Sequence, residues 1–108
     1  MTDLLLVRIN CPDKALAVRL ASSTVSSRLV ACANIEGPIA SVYEWDGQIE
    51  QAEEWVLWLK TTADRWDEIE AFVRTNHPHE VPAILAIPCC EAHAPFAKWV
   101  AEATDREG

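Results

Sequence analysis

The order of apolar and polar residues along the chain predicts alternating strands and helices. Residues 4–9 form a short, nearly continuous apolar run that Arg8 interrupts, as expected for a central strand. The segment Asn10-Cys11-Pro12-Asp13 then ends the strand, and Pro12 suits the first position of a helix. Apolar residues recur every three or four positions from 16 to 29, so we expect a helix with one buried face that extends to about residue 28.

Two long strands joined by a tight turn are predicted in the middle of the chain. Asp46-Gly47 is a preferred dipeptide for a type I′ turn, in which both central residues need a positive φ. The strand before the turn runs from Leu29 to Trp45, with a bulge or bend at 36–38 because Pro38 cannot donate a backbone hydrogen bond. The return strand runs from Gln48 to about Thr61, and the simplest register places Tyr43 opposite Glu50, Ser41 opposite Ala52, and Glu44 opposite Ile49.

The return strand also has a helical alternative. Helix-favouring Glu, Gln, Ala and Leu are frequent in residues 48–60, and four apolar residues recur there at helical spacing: Ile49, Ala52, Val56 and Leu59. Trp55 and Trp58 prefer strands, however, and the turn favours an antiparallel return, so we predict a strand. Such a hairpin is longer than a domain of this size needs for its own core. Its apolar and aromatic walls therefore predict an oligomer.

The remaining elements complete a βαββαβα order. A helix is predicted from Thr61 to Asn76, capped by Asp64, with four residues in its buried stripe: Trp66, Ile69, Phe72 and Val73. A fourth strand follows at Val81–Pro88, with Pro82 at its start. The last helix begins near Pro95 and carries Phe96, Trp99, Val100 and Ala103 on one face. This order predicts an α+β, ferredoxin-like fold with an added C-terminal helix.

Composition narrows the class of protein. The chain has 108 residues, half of them apolar, so we expect one domain spanning 1–108. The net charge of −8 argues against nucleic-acid binding. No apolar run approaches the ~20 residues of a membrane span, and the N-terminal sequence lacks signal-peptide features, so a cytoplasmic location is expected. The four cysteines include no Cys-x-x-Cys pair and are expected to be buried free thiols.

Two clusters contain residues of the types that bind metal ions. His77-Pro78-His79-Glu80 offers two imidazoles and a carboxylate, which suit a borderline cation if a thiolate lies nearby. The alternative is a proline turn that ends the helix, with solvated histidines. Cys89-Cys90 with His93 forms a second cluster, but its spacing matches no closed tetrahedral site. No nucleophile–base pair, Gly-x-Ser-x-Gly or phosphate-binding loop is present, so catalysis is not indicated.

The chain resembles the CutA family of divalent-cation tolerance proteins. The resemblance covers most of the chain in order, and it rests on these segments: 31–35 (ACANI), 41–50 (SVYEWDGQIE), Glu54-Trp55, 59–61 (LKT), 77–82 (HPHEVP) and Trp99. It implies a ferredoxin-like homotrimer whose long hairpins wrap neighbouring subunits. It also implies that residues 48–61 form a strand rather than a helix.

The resemblance further implies a role in tolerance to copper and other divalent cations. The family's copper site uses a thiol near the end of the first strand and a histidine pair before a proline, positions that correspond here to Ile9, Asn76 and His77. Cys11 could replace the missing thiol if the strand continues that far, and His79 replaces the family's usual aromatic residue. The expected ligands of copper(II) or another divalent cation are therefore Cys11, His77 and His79. No organic cofactor is implied.

The resemblance thus predicts a non-enzymatic protein of copper homeostasis that binds metal ions with low-to-moderate affinity. The sequence is also consistent with two other functions. The chain is similar in fold to the PII regulatory proteins, trimers that bind small molecules in clefts between subunits. This similarity implies a signalling or scaffold protein, with four residues near such a cleft: Trp45, Glu54, Lys60 and Glu80. Because fold does not fix function, a trimer that serves only as an interaction platform is the third alternative.

Overall fold

The computed structural model describes residues 2–105, which adopt the predicted α+β, ferredoxin-like order. The elements are β1 (Leu4–Cys11), α1 (Lys14–Ser26), β2 (Cys32–Trp45), β3 (Gln48–Thr62), α2 (Trp66–Asn76), β4 (Ile84–Pro88) and α3 (Ala94–Ala103). The strands form one antiparallel sheet in the order β2-β3-β1-β4. Between residues 2 and 105, no helix is long and apolar enough to cross a membrane.

Side chains alternate between two faces of this sheet, and α1 and α2 cover one of them. We call this covered side the helix face. It carries the main core, in which Val7 and Ile9 of β1 lie beside their partners Leu59 and Leu57 of β3, all without solvent exposure. Five further core residues come from the two helices: Leu16, Ala17, Leu20, Ile69 and Val73. The predicted apolar stripes therefore explain how both helices attach to the sheet.

We call the opposite side of the sheet the open face. At one end, α3 covers it through a small cluster in which Val100 is buried with Leu4 and Ala31. Beyond α3, the face is only partly covered, and Leu85 and Ile87 of β4 are 49% and 43% exposed. The open face thus combines a covered end with an accessible centre.

Beyond the core, residues 39–45 of β2 pair with residues 48–54 of β3. We call this two-stranded segment, which ends at the Asp46-Gly47 turn, the ribbon. Both turn residues have a positive φ, 52° and 77°, which confirms the predicted turn chemistry. The predicted register is also confirmed, with a shift at the expected bulge between Glu36 and Ile39. The helical alternative for residues 48–60 is wrong. The ribbon gives the chain a long dimension of 48 Å and leaves Ile49 73% exposed.

The junction between β1 and α1 differs from the sequence prediction. β1 continues to Cys11 because Asn10 and Cys11 still pair with Val56 and Trp55 of β3. The helix then begins at Lys14, after Asp13, whose Oδ1 accepts a hydrogen bond from the Leu16 N–H at 2.8 Å. The prediction of Pro12 at the first helical position was wrong, because the aspartate caps the helix instead.

Other boundaries also shift for local reasons. β2 begins at Cys32 rather than Leu29, because the N–H groups of Leu29 and Val30 bond to the Thr24 carbonyl at the end of α1. α2 begins at Trp66, after a 3-10 turn at Ala63–Arg65, so Asp64 is not its cap. β4 begins at Ile84, because strand pairing with β1 starts there and not at Val81. α3 begins at Ala94, close to the predicted start.

Candidate metal site and open-face network

His77 ends α2 and turns its ring back towards β1. Its backbone is extended (φ −94°, ψ 139°), as favoured for a residue before proline. The ring is 7% exposed, with Nε2 2.8 Å from the Asn10 carbonyl oxygen and Nδ1 3.1 Å from the His79 N–H nitrogen. The carbonyl can only accept and the amide can only donate, so these contacts define a neutral ring protonated at Nε2. Both nitrogens of His77 are therefore engaged.

His79 has an accessible ring in the same turn. Its centroid lies 4.8 Å from that of His77, with the planes tilted by 54°. His79 is exposed, and its ring nitrogens make no hydrogen bond within residues 2–105. One imidazole nitrogen is thus immediately available. The His77 Nδ1 lone pair becomes available only if the His79 N–H contact opens.

Cys11 occupies the predicted strand position but points into the core. It has no solvent exposure and lies in the helix-face cluster with Val7 and Ile9. Burial, followed by the negative charges of Asp13 and Glu54, raises the pKa of the Cys11 thiol to about 11. Because the thiolate is the form that binds metal, Cys11 must lose both its proton and its apolar surroundings to act as a ligand.

Among residues 2–105, no three His, Cys, Asp or Glu side chains converge on a position suited to a metal ion. The structure therefore places Cys11, His77 and His79 at one end of the sheet without bringing them together as a preformed site. The second sequence cluster does not form one either. All four cysteines are free, as predicted, and Cys89 is half-buried against the Leu4–Val100 cluster. The expectation that each thiol is buried is confirmed for Cys11 and is wrong for Cys90, which is exposed.

The four residues expected near a cleft are dispersed within one subunit. Trp45 is 71% exposed at the ribbon tip, roughly 40 Å along β3 from Lys60 at a rise of about 3.3 Å per residue. Glu54 lies at the ribbon base, and its Oε1 accepts from Asn10 Nδ2 at 3.2 Å. Glu80 is exposed in the turn after His79. A cleft that contains all four would need more than one subunit.

Sequence reasoning missed a polar network at the centre of the open face. Arg8 donates through Nη1 to Asn10 Oδ1 at 2.6 Å, and its Cζ lies 5.5 Å from the centre of the Trp58 ring. Trp58 Nε1 in turn donates to Glu36 Oε1 at 2.7 Å. One signal was present in the sequence, since Arg8 is a charged residue inside an apolar central strand.

Comparisons with known proteins define the class to which this arrangement belongs. The model of a family described as CutA1 divalent ion tolerance protein matches residues 5–103. Protein CutA of Homo sapiens is 35% identical over 97 residues, which cover 90% of this chain and 54% of that protein. The divalent-cation tolerance protein CutA of Thermus thermophilus is 34% identical over 98 residues, covering 91% of this chain and 95% of the relative.

Solved structures agree over nearly the whole fold. CutA1 from Oryza sativa superposes with a TM-score of 0.94 at 31% identity, covering 98% of this chain and 97% of that one. The Thermus thermophilus protein (Cut A1) gives 0.91 at 32% identity, covering 94% and 99%. The chain belongs to the CutA1 family of divalent ion tolerance proteins. It spans about half the length of the human relative.

Proposed function

We propose that this protein is a cytoplasmic, non-enzymatic homotrimer that binds divalent cations, copper(II) foremost, and contributes to metal tolerance. The observation that carries the proposal is the match to the divalent ion tolerance family over residues 5–103. The ribbon supports assembly, because its exposed apolar residues, among them Val42, Trp45 and Ile49, lie away from the subunit's own core. Such residues are stabilised when a partner covers them.

The proposed ligands are His79, His77 and Cys11, in order of decreasing accessibility. The free ring of His79 makes the first contact. His77 then contributes Nδ1 in place of its bond to the His79 N–H, while Nε2 remains bonded to Asn10 and orients the ring, as metal-bound histidines commonly require. Cys11 needs deprotonation and a local opening of the core. These costs support the proposal of a low-to-moderate affinity.

Calorimetric titration of the purified protein with copper(II), and then with zinc, tests the ligand assignment. We expect His79→Ala to weaken copper binding at least about tenfold, as the loss of one of few ligands implies, and Cys11→Ser to have a smaller effect at neutral pH. His93→Ala is the matched control, because His93 is exposed at the start of α3 and makes no side-chain cap bond. Binding that is equally tight in the His77→Ala and His79→Ala variants would refute these ligands.

The alternative function is that of a PII-like signalling or scaffold trimer with a ligand between subunits. Two observations favour it: Trp45 is largely exposed, and Lys60 Nζ bonds to the neutral Asn34 Oδ1 at 2.9 Å rather than to a carboxylate. A thermal-shift screen of small anionic metabolites tests this function. It is supported if a metabolite raises the melting temperature of the wild type but not of Lys60→Met, and it is rejected if metals alone stabilise the protein.

A further inference from the structure

Arg8 is held in a fixed orientation on the open face. One guanidinium nitrogen donates to Asn10 Oδ1, and the group lies over the ring of Trp58. Both supports are themselves anchored, since Asn10 Nδ2 donates to Glu54 and Trp58 Nε1 donates to Glu36. A guanidinium held in this way loses little conformational entropy when it binds an anion.

Among the described residues 2–105, no carboxylate forms an ion pair with Arg8. The ion pairs within residues 2–105 join Arg65 to Glu68, Arg74 to Glu70 and Lys98 to Glu102. Lys60, two positions beyond Trp58 on the same face of β3, also bonds to a neutral amide. Glu36 and Glu54 lie on this face but are bonded to Trp58 and Asn10. The planar guanidinium of Arg8 therefore retains N–H groups that can donate hydrogen bonds to a carboxylate.

The surroundings of Arg8 fit a protein surface better than a small molecule. Two surface clefts within residues 2–105 do not include Arg8: one, of about 820 Å³, lies between the start of β1 and α3, and the other lies on the ribbon beside Pro38. Next to Arg8 on β4 is its pairing partner Leu85, which is 49% exposed. A cation beside exposed apolar residues is typical of protein interfaces, where arginine is enriched.

The ribbon carries the complementary groups. It bears four exposed carboxylates that form no ion pair within residues 2–105: Glu44, Asp46 and Glu50 towards the tip, and Glu53 near the base. They accompany the exposed apolar residues Val42 and Ile49. Within one chain Glu50 lies far from Arg8, because it is eight positions along β3 from Trp58, roughly 26 Å, and Glu44 and Asp46 lie farther towards the tip. A second copy of the chain can bring such a ribbon to the open face.

We propose that Arg8, stacked on Trp58 and anchored by Asn10, is the receptor on the open face for a carboxylate from the ribbon of a second copy. The inference rests on the proposed homotrimer and names a contact that would hold it together. Lys60 supplies a second positive charge on the same face. Leu85 and Ile87 provide the neighbouring apolar contact.

Subunit exchange tests this contact. Two differently labelled samples are mixed, and exchange is followed by energy transfer at low and high salt, with the assembled mass measured by light scattering. We expect Arg8→Glu to accelerate exchange at least about tenfold. Removing or reversing one charge of an interface pair mainly raises the rate at which the subunits dissociate. Arg8→Lys keeps the charge without the planar guanidinium and should have an intermediate effect. Arg19→Gln, at an exposed position of α1, is the control and should exchange like the wild type.

Variants of the ribbon test whether its glutamates supply the carboxylate that Arg8 binds. The triple variant E44Q/E50Q/E53Q should accelerate exchange, whereas D67N/E91Q/E102Q, with the same change in net charge, should not. Adding E44K/E50K/E53K to Arg8→Glu should restore slow exchange. A wild-type monomer would overturn both the trimer and this contact. A stable wild-type oligomer that exchanges equally slowly with Arg8→Glu, or that is unaffected by the ribbon variants, would overturn the contact alone.

Discussion

Gly37 and Trp55 are in direct contact at the base of the ribbon, and the contact leaves no space for a side chain at position 37. A Cβ atom built on Gly37 would lie 2.7 Å from Trp55 Cε3 and 3.2 Å from the Glu54 carbonyl oxygen. The Lys14 ammonium lies 5.4 Å from the centre of the same Trp55 ring. Trp55 of β3 therefore contacts both the bulge of β2 and the start of α1. These contacts determine where the ribbon leaves the core.

Gly37→Ala should therefore destabilise the fold by about 1–3 kcal/mol, the usual cost of overpacking. The backbone adds to this cost because φ at Gly37 is +154°, a conformation that L-residues rarely adopt. Urea unfolding followed by tryptophan fluorescence measures the loss. Gly47→Ala is the matched control, because Gly47 also has a positive φ (77°) but has no atom within 4 Å of the added Cβ. Equal losses at the two positions would show that backbone strain, rather than contact with Trp55, matters.

The Cys11 thiol should make stability fall at alkaline pH. Its pKa is raised to about 11 from 9.0, so the folded protein holds this proton more tightly than the unfolded chain does. The stabilisation is complete below pH 9 and is lost as pH rises through 11, by up to roughly 2–3 kcal/mol. Urea unfolding at several pH values measures it. Cys11→Ala should flatten the fall between pH 9 and 11 and the exposed Cys90→Ala should not; identical pH profiles for Cys11→Ala and the wild type would contradict the assignment.

Asp13 should contribute to stability as the cap of α1. Its Oδ1 accepts from the Leu16 N–H at 2.8 Å, so Asp13→Ala leaves that donor unsatisfied and should cost about 1 kcal/mol. Chemical denaturation measures the loss. Asp64→Ala is the comparison, because the sequence predicted this residue as the cap of α2, whereas in the structure Asp64 does not cap that helix. A larger loss at Asp64 than at Asp13 would argue against the capping bond.

Arg65 should hold the C-terminal end of α3. Its Nε and Nη2 both donate to the Thr104 carbonyl oxygen, with Nε at 3.1 Å, and the side chain is 18% exposed. Arg65→Gln should cost about 1.5–3 kcal/mol, as expected for hydrogen bonds from a charged group. It should also speed amide exchange in the last turn of α3. Arg74→Gln, which breaks an exposed pair with Glu70, should change stability by less than about 1 kcal/mol. Unchanged amide exchange in Arg65→Gln would refute this role.

The sequence was most informative where local chemistry determines structure. The Asp46-Gly47 turn needs only two residues that tolerate positive φ, and once it is in place, the pairing of Tyr43 with Glu50 follows from counting. Predicted boundaries failed where distant contacts decide them. β1 continues to Cys11 because β3 offers Trp55 as a partner, and no property of residues 10–13 alone could indicate this.

The candidate site shows the same division. Residue types identified His77 and His79, but not that the Asn10 carbonyl and the His79 amide occupy both nitrogens of His77. The contact of Arg8 with Trp58 depends on the register between β1 and β3, which joins residues fifty positions apart. Contacts of this kind can be identified only when the pairing of the strands is known.

β2 is one of the two edge strands of the sheet, and no other strand within residues 2–105 pairs with its outer side. An open strand edge of this length can pair with the strands of other chains, so it carries a risk of edge-to-edge aggregation. Two features of the strand oppose this. Pro38 removes an N–H donor at the irregularity between Glu36 and Ile39, and the Glu36 and Glu44 side chains place negative charge along the strand. The bulge and the acidic residues thus also oppose unwanted pairing along this edge.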